Sequence, residues 1–289
     1  MDDKDSRAMI RPSQGVHIVL KRDFLPGDSA IMVPHTDDGR VLFAIPWHDR
    51  VVVGTTDTPI DHIPLEPRPL EEELEFLLSH AARYLSKDPG PGDVLSAFAG
   101  IRPLVSGDEE DTAQLSRDHT LFISRSGLVT ITGGKWTTYR KMAEDTVDHA
   151  ATLAQLEEKP SVTRDLAIHG YHRNAEQFGE LAVYGSDAPL IDDLTRENPR
   201  FAERLHPDLP ARAGEVIWAV RQEMARSVED VLARRTRCLL LDAKASMEMA
   251  PKVAGLMAQE LGRDLAWQQQ QTDSYRELAK GYLISESSN

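Results

Sequence analysis

Apolar and polar positions form short runs through the first third of the chain. The run Val-His-Ile-Val-Leu at 16–20 and those at 30–33, 41–45 and 51–53 read as four strands. Thr36-Asp37-Asp38-Gly39 supplies a hairpin turn between the second and third, because glycine takes positive φ freely after an aspartate. The fourth is entered through Trp47-His48-Asp49-Arg50. Four short strands joined by tight turns predict an antiparallel sheet. A proline-rich excursion at 59–69 precedes a helix predicted over 70–85. There Leu74, Leu77, Leu78 and Ala81 share one face, while Glu71, Glu72 and Glu73 suit the positive end of the dipole and read as a solvated helix start. Asp88-Pro89-Gly90-Pro91-Gly92 ends it. Further strands are predicted at 94–98, 121–124 and 128–131.

The last of these runs into Gly133-Gly134-Lys135-Trp136-Thr137-Thr138-Tyr139-Arg140-Lys141. Beyond it Tyr139, Ala143, Val147, Ala150 and Ala154 recur at helical spacing. The order is therefore strand, double glycine, helix start. Such a junction offers backbone N–H groups and a positive dipole end to an anion or a ring edge, and Lys135 adds a cation there. On spacing alone, a plain turn between a strand and a helix is the simpler reading.

A linker is expected at 157–161, after which the pattern turns helical. Helices are predicted near 174–184, 188–195, 212–223, 226–239, 243–263 and 270–280. Tyr184-Gly185-Ser186-Asp187 reads as one helix end and the next helix's cap. Met247, Met249, Val253, Met257 and Leu261 form an apolar stripe of core type. Residues 1–9 read as a disordered tail and 285–289 as frayed. The fold class is thus α+β, a mainly antiparallel sheet region over 10–156 followed by an all-α region over 165–284.

Composition narrows the function classes. The chain has 289 residues and a formal net charge of −14, which argues against nucleic acid and against electrostatic docking on anionic lipid. Cys238 is the single cysteine, so no intrachain disulfide or cysteine zinc cluster can form, and its expected role is packing. His35, His48, His62, His80 and His119 lack metal-ligand spacing, so no metal is expected. With no apolar run of spanning length and no signal-peptide core, the expected location is cytoplasmic. No Gly-x-Gly-x-x-Gly dinucleotide fingerprint occurs anywhere.

Four ordered stretches carry a resemblance: Arg11-Pro12-Ser13-Gln14-Gly15-Val16-His17, Gly54-Thr55-Thr56-Asp57, Ala99-Gly100-Ile101-Arg102-Pro103-Leu104 followed by Ser116-Arg117-Asp118-His119-Thr120, and the 133–141 segment. Together they resemble the FAD-dependent glycerol-3-phosphate dehydrogenases, with the region after about 165 similar to that family's helical C-terminal domain. The resemblance covers the C-terminal part of a family member, so a missing N-terminal FAD-binding half is expected, and an isolated chain without it is expected to be inactive. By resemblance, residues 10–156 are the later part of an FAD- and substrate-binding domain.

The resemblance implies FAD as hydride acceptor, sn-glycerol 3-phosphate as substrate, dihydroxyacetone phosphate as product and quinone as final acceptor. Beside the cytoplasmic location, peripheral association with the inner face of the membrane stays open. Arg102, Arg117 and Lys135 become substrate ligands, since a phosphate ester near −2 charge calls for fixed guanidinium forks. Gly133, Gly134, Lys135, Trp136, Thr137 and Thr138 become flavin contacts. His17, within a strand and by itself a half-buried histidine, becomes the catalytic base, with Arg102 as the alternative stabiliser of a developing alkoxide. The Gly54–Asp57 turn reads as structural. Two other readings stay open: a non-catalytic fragment or module whose helical C-terminal domain serves assembly with a full-length subunit, and an FAD-dependent amine or amino-acid oxidase. The protein partners left open are a second copy in a homo-oligomer and the missing N-terminal half.

Overall fold

The computed structural model describes residues 10–34, 36–37, 39–105 and 119–284. The expected turn residue Asp38, the histidine His35, the expected ligand Arg117 and both chain ends lie outside them. In chain order the strands β1 (Ile10–Lys21), β2 (Ile31–Val33), β3 (Leu42–Trp47), β4 (Arg50–Gly54) and β5 (Thr58–Pro59) precede the helix α1 (Glu71–Ala81). Then come β6 (Ser96–Val105), β7 (His119–Ile123), β8 (Val129–Gly133), α2 (Tyr139–Leu153) and α3 (Ala188–Glu197). Last are β9 (Arg204–His206), β10 (Leu209–Arg212), α4 (Ala213–Gln222), α5 (Cys238–Leu241), α6 (Ala243–Leu261) and α7 (Leu265–Lys280). The main sheet runs β2-β3-β4-β1-β5, with β6 also paired to β1. Every pairing of known register in it is antiparallel, as expected.

Two compact units divide the chain: 1–15, 57–67 and 100–168 form the first, and 16–56, 68–99 and 169–289 the second. The division interleaves along the chain, whereas the periodicity read as a single cut at 157–161. Packing groups the early strands with the late helices. In the second unit Ala243 donates its N–H to Leu95 O (3.0 Å), Ala97 donates to Tyr282 O (2.8 Å), and Arg50 Nη2 donates to Asp208 O (2.7 Å).

The second unit holds the hydrophobic core. Strand β1 is its central strand, and Val16, Ile18, Val19 and Leu20 are each 0 % exposed because both faces are covered. Leu77 and Ala81 of α1 pack with Val51 and Val53 of β4. The α6 stripe is core, as its spacing predicts: Met249, Val253 and Met257 are buried with α4 and α7 residues. Asp242 and Asp264 cap α6 and α7 by accepting the N–H groups of Ala245 and Trp267, both at 2.9 Å. Cys238 is buried at the start of α5, and burial pushes its thiol up to about 12, which makes it a packing residue.

Three expectations change in the helical region. The helix predicted near 174–184 is a run of 3-10 turns over Ala175–Asp187, broken at Gly179 and Gly185, which take φ of 57° and 52°. A Cβ at Gly185 would fall 1.8 Å from Gly170 O, so the approach of that backbone requires glycine there. The helix predicted over 226–239 is a π-helical stretch, Asp230–Arg235, cut from α5 by Arg237 at φ 58°. The hairpin of β9 and β10 sits in a region whose periodicity shows helix alone.

In the first unit β7 and β8 form an antiparallel hairpin, with His119 opposite Gly133 and Ile123 opposite Val129. A 3-10 turn, Trp136–Thr138, leads from it into α2.

Candidate functional site

The first unit carries Arg102 and the glycine junction. Arg102 lies in β6, directly before Pro103, whose ring fixes the local backbone. Its Nη1 donates to Asp57 Oδ1 at 3.3 Å, and the same carboxylate oxygen accepts the Ser13 hydroxyl. The Arg102 and Asp57 side chains are 26 % and 12 % exposed, so the pair is largely shielded. A Cβ at Gly15 would lie 2.2–2.6 Å from three guanidinium atoms, so the guanidinium rests against the bare Gly15 backbone and a side chain there would displace it. Arg102 is thus restrained by a carboxylate and by the Gly15 backbone.

At the junction, Gly133 and Gly134 both take φ of 75°. Gly134 is favoured by its positive φ, and the space a side chain there would need is filled by Met142 Sδ of α2, 2.4 Å from the position of a Cβ. Thr138 closes the turn: its hydroxyl donates to Lys135 O (3.0 Å) and accepts the Lys135 N–H (3.1 Å). Lys135 through Tyr139 are exposed, Trp136 at 85 %, and Trp136 stacks on Tyr139 with ring centroids 5.2 Å apart. The cations that follow are engaged. Lys141 bonds Glu144 (3.1 Å) and Asp145 (2.7 Å), and Arg140 pairs with Glu144. The hydrogen bond from Lys141, ahead of that from His119, holds the Asp145 carboxyl below its usual range. Among the described residues Lys135 has no ion-pair partner. An accessible ledge of two glycines, a lysine and a flat indole suits the edge of a planar, electron-rich ring.

His17 belongs to the second unit. It faces Gly54 across the β1–β4 pair and stacks on Phe98 at 5.4 Å with planes 14° apart. A Cβ at residue 54 would fall 2.2 Å from His17 Cδ2, so Gly54 is what admits the imidazole. One residue before it, the Val16 N–H donates to Thr56 Oγ1 (2.9 Å), and Thr56 donates to Glu73 Oε1 (2.8 Å). Glu73 also accepts the Leu70 N–H at the α1 start (3.0 Å). Glu73 is 3 % exposed, which corrects its reading as part of a solvated helix start; Glu71 and Glu72 are exposed as expected.

Three expectations about site chemistry can be placed directly. Arg102 and the 133–138 segment fall in one unit and His17 in the other. Sequence reasoning missed Asp57, Ser13, Phe98 and Glu73 as partners of these residues. Asp57 had a signal, as the last residue of the Gly54–Asp57 stretch. No group of metal-binding side chains occurs among the described residues, and no helix there is long and apolar enough to cross a membrane.

Comparison with known proteins adds a family context. Residues 128–272 match the C-terminal domain of alpha-glycerophosphate oxidase, and residues 1–140 match the FAD dependent oxidoreductases. The mitochondrial glycerol-3-phosphate dehydrogenase of Homo sapiens is 38 % identical over 309 residues, covering 99 % of this chain and 42 % of that protein. The probable mitochondrial glycerol-3-phosphate dehydrogenase of Caenorhabditis elegans is 39 % identical over 299 residues, covering 95 % of this chain and 41 % of that one. The chain therefore spans about two-fifths of the length of these curated relatives. The crystal structure of the Bacillus halodurans glycerol-3-phosphate dehydrogenase complexed with FAD superposes with a TM-score of 0.77 at 28 % identity, covering 97 % of this chain and 58 % of that one.

Proposed function

The chain belongs to the FAD-dependent glycerol-3-phosphate dehydrogenase family, and from that premise we propose that it forms the substrate-facing part of an enzyme oxidising sn-glycerol 3-phosphate to dihydroxyacetone phosphate. The observation that carries the reading is the restrained Arg102 guanidinium in a chain related to glycerol-3-phosphate dehydrogenases along 99 % of its length. A phosphate dianion is recognised by guanidinium forks whose geometry is fixed in advance. Arg102 binds it, Arg117 supplies the second fork, and Lys135 adds a point charge. His17, oriented by Phe98 and Gly54, takes the C2 hydroxyl proton at an imidazole nitrogen.

Gly133, Gly134, Lys135, Trp136, Thr137 and Thr138 would hold FAD, and the exposed ledge they form supports that assignment. When bound, FAD supplies the hydride acceptor. A quinone as final acceptor, reached by peripheral attachment to a membrane, completes the proposal.

Two arms test it. In the first, the chain is mixed with FAD and gel-filtered; with no Gly-x-Gly-x-x-Gly segment in the sequence to cradle the pyrophosphate, little flavin should stay bound. In the second, the chain replaces the aligned portion of the Bacillus halodurans enzyme. The chimera's flavin should bleach on adding sn-glycerol 3-phosphate and stay oxidised with glycerol. A chimera that binds flavin and bleaches equally with both, or with neither, contradicts the reading.

A further inference from the structure

Asp57 lies 45 positions before Arg102 in the chain, yet its carboxylate meets the guanidinium at 3.3 Å within the first unit. We infer that Asp57 is a positioning residue, which holds the Arg102 fork in the orientation that receives the phosphate of a phosphate-ester substrate; the inference rests on the phosphate reading of Arg102.

Three observations carry it. Asp57 is anchored from behind, because its Oδ1 also accepts the Ser13 hydroxyl, and Ser13 is 0 % exposed on β1. β5 brings Asp57 to that place: Ser13 pairs with Pro59 and Gln14 with Thr58, so the residue just before β5 is pinned beside β1. Gly15 adds a second restraint, since its missing side chain leaves the space the guanidinium occupies. An arginine side chain has several rotatable bonds, and freezing them on binding costs affinity; a partner that freezes them beforehand removes that cost.

A carboxylate near a dianion also repels it, so the sign of the effect has to be argued. Asp57 shares its charge with the Ser13 O–H and with Arg102 itself, so the ion pair presents little net negative charge to an approaching dianion. Restraint should therefore outweigh repulsion. Removing the carboxylate should weaken binding of sn-glycerol 3-phosphate, and replacing it with the isosteric amide should retain most of it, because the amide oxygen still accepts from Nη1 and Ser13.

The experiment follows Arg102 in the full chain and the ligand in the chimera in which this chain replaces the aligned portion of the Bacillus halodurans enzyme. The first readout is the heteronuclear NOE of the Arg102 Nε–H, assigned by its loss in Arg102→Lys. The second is the affinity for sn-glycerol 3-phosphate by calorimetry, with glycerol as control. In Asp57→Ala the NOE should fall to the value of a mobile side chain and affinity should drop about tenfold, while Asp57→Asn should keep a high NOE and most of the affinity. A merely structural role would lower the melting temperature and leave the Nε–H signal of the folded chain unchanged. An unchanged NOE in Asp57→Ala overturns the inference. So does tighter binding in both variants, which would make Asp57 a competing anion. If the unaltered chimera takes up no sn-glycerol 3-phosphate, the phosphate reading fails, and the NOE then decides by itself whether Asp57 restrains Arg102.

Discussion

The two compact units are built on different principles. The second contains every core cluster of buried apolar side chains found among the described residues, from β1 and α1 to the α6–α7 pair. In the first, Leu104 is the one described hydrophobic residue that counts as buried, at 7 % exposure. Its helix α2 buries no residue, Val147 is 63 % exposed, and Phe122 on the hairpin is 46 % exposed. Yet this unit carries Arg102 and the glycine junction. A lightly packed unit fixes its side chains by polar contacts and steric fit: Asp57 and Gly15 for Arg102, Thr138 for Lys135, Met142 against Gly134. The second unit places His17 by packing instead, against Phe98 and Gly54 over a fully buried strand.

Substitution in the two units should give unequal costs. Leu77→Ala, in the second unit at 0 % exposure, should lower unfolding stability by about 2–5 kcal/mol, read from chemical denaturation, because a cavity opens between α1 and β4. A loss below about 1 kcal/mol would show that this core collapses around the change and would erase the contrast.

A pH experiment sharpens the same comparison. Glu215 of α4 is buried in the second unit, accepting the Tyr184 hydroxyl (2.9 Å) and the Arg212 N–H (2.7 Å). Burial raises its carboxyl above the ordinary 4.5, against the lowering effect of those bonds and of Arg212, and Glu180 nearby adds to the rise. A raised native pKa means the folded state binds the proton more tightly than the unfolded chain. Its contribution is therefore full below about pH 4.5 and is lost as pH rises through the native value. Glu215→Gln removes that loss, so the variant should gain stability relative to the parent as pH climbs from 4.5 toward neutrality. A difference that does not vary with pH would mean the carboxyl titrates normally. The smallest effect belongs to the first unit: Val147→Ala on exposed α2 should change stability by no more than about 0.5 kcal/mol, and a larger cost would show hidden packing there.

Much of this was legible along the chain, for reasons particular residues show. The α1 face of Leu74, Leu77 and Leu78 and the α6 stripe follow a helical period that local sequence displays. The strand–Gly-Gly–helix junction is a local pattern too, and it is present. The helix end at Gly185 was legible from Tyr184-Gly185-Ser186-Asp187, but the break at Gly179 and the 3-10 winding of the run were not, and the approach of Gly170 to Gly185 comes from fifteen positions away. Strands β9 and β10 have three and four residues, too few to show a period. Glu73 looked solvated because its burial depends on Thr56, 17 positions earlier, and Asp57 looked like part of a turn because its partner is 45 positions on. Local periods announce elements, and contacts between distant residues decide which polar side chains serve the site.

The central claim is that Arg102 recognises a phosphate, and the most direct measurement is a ratio. In the Bacillus halodurans chimera, kcat/KM is measured for sn-glycerol 3-phosphate and for glycerol, before and after Arg102→Ala. A charge-assisted hydrogen bond contributes roughly 1.5–3 kcal/mol. The change should therefore cut kcat/KM for the phosphorylated substrate by about one to two powers of ten and leave that for glycerol nearly unaltered. Arg102→Lys should recover part of the loss, since an ammonium lacks the planar fork. Equal losses on both substrates would contradict the account and return Arg102 to the fold.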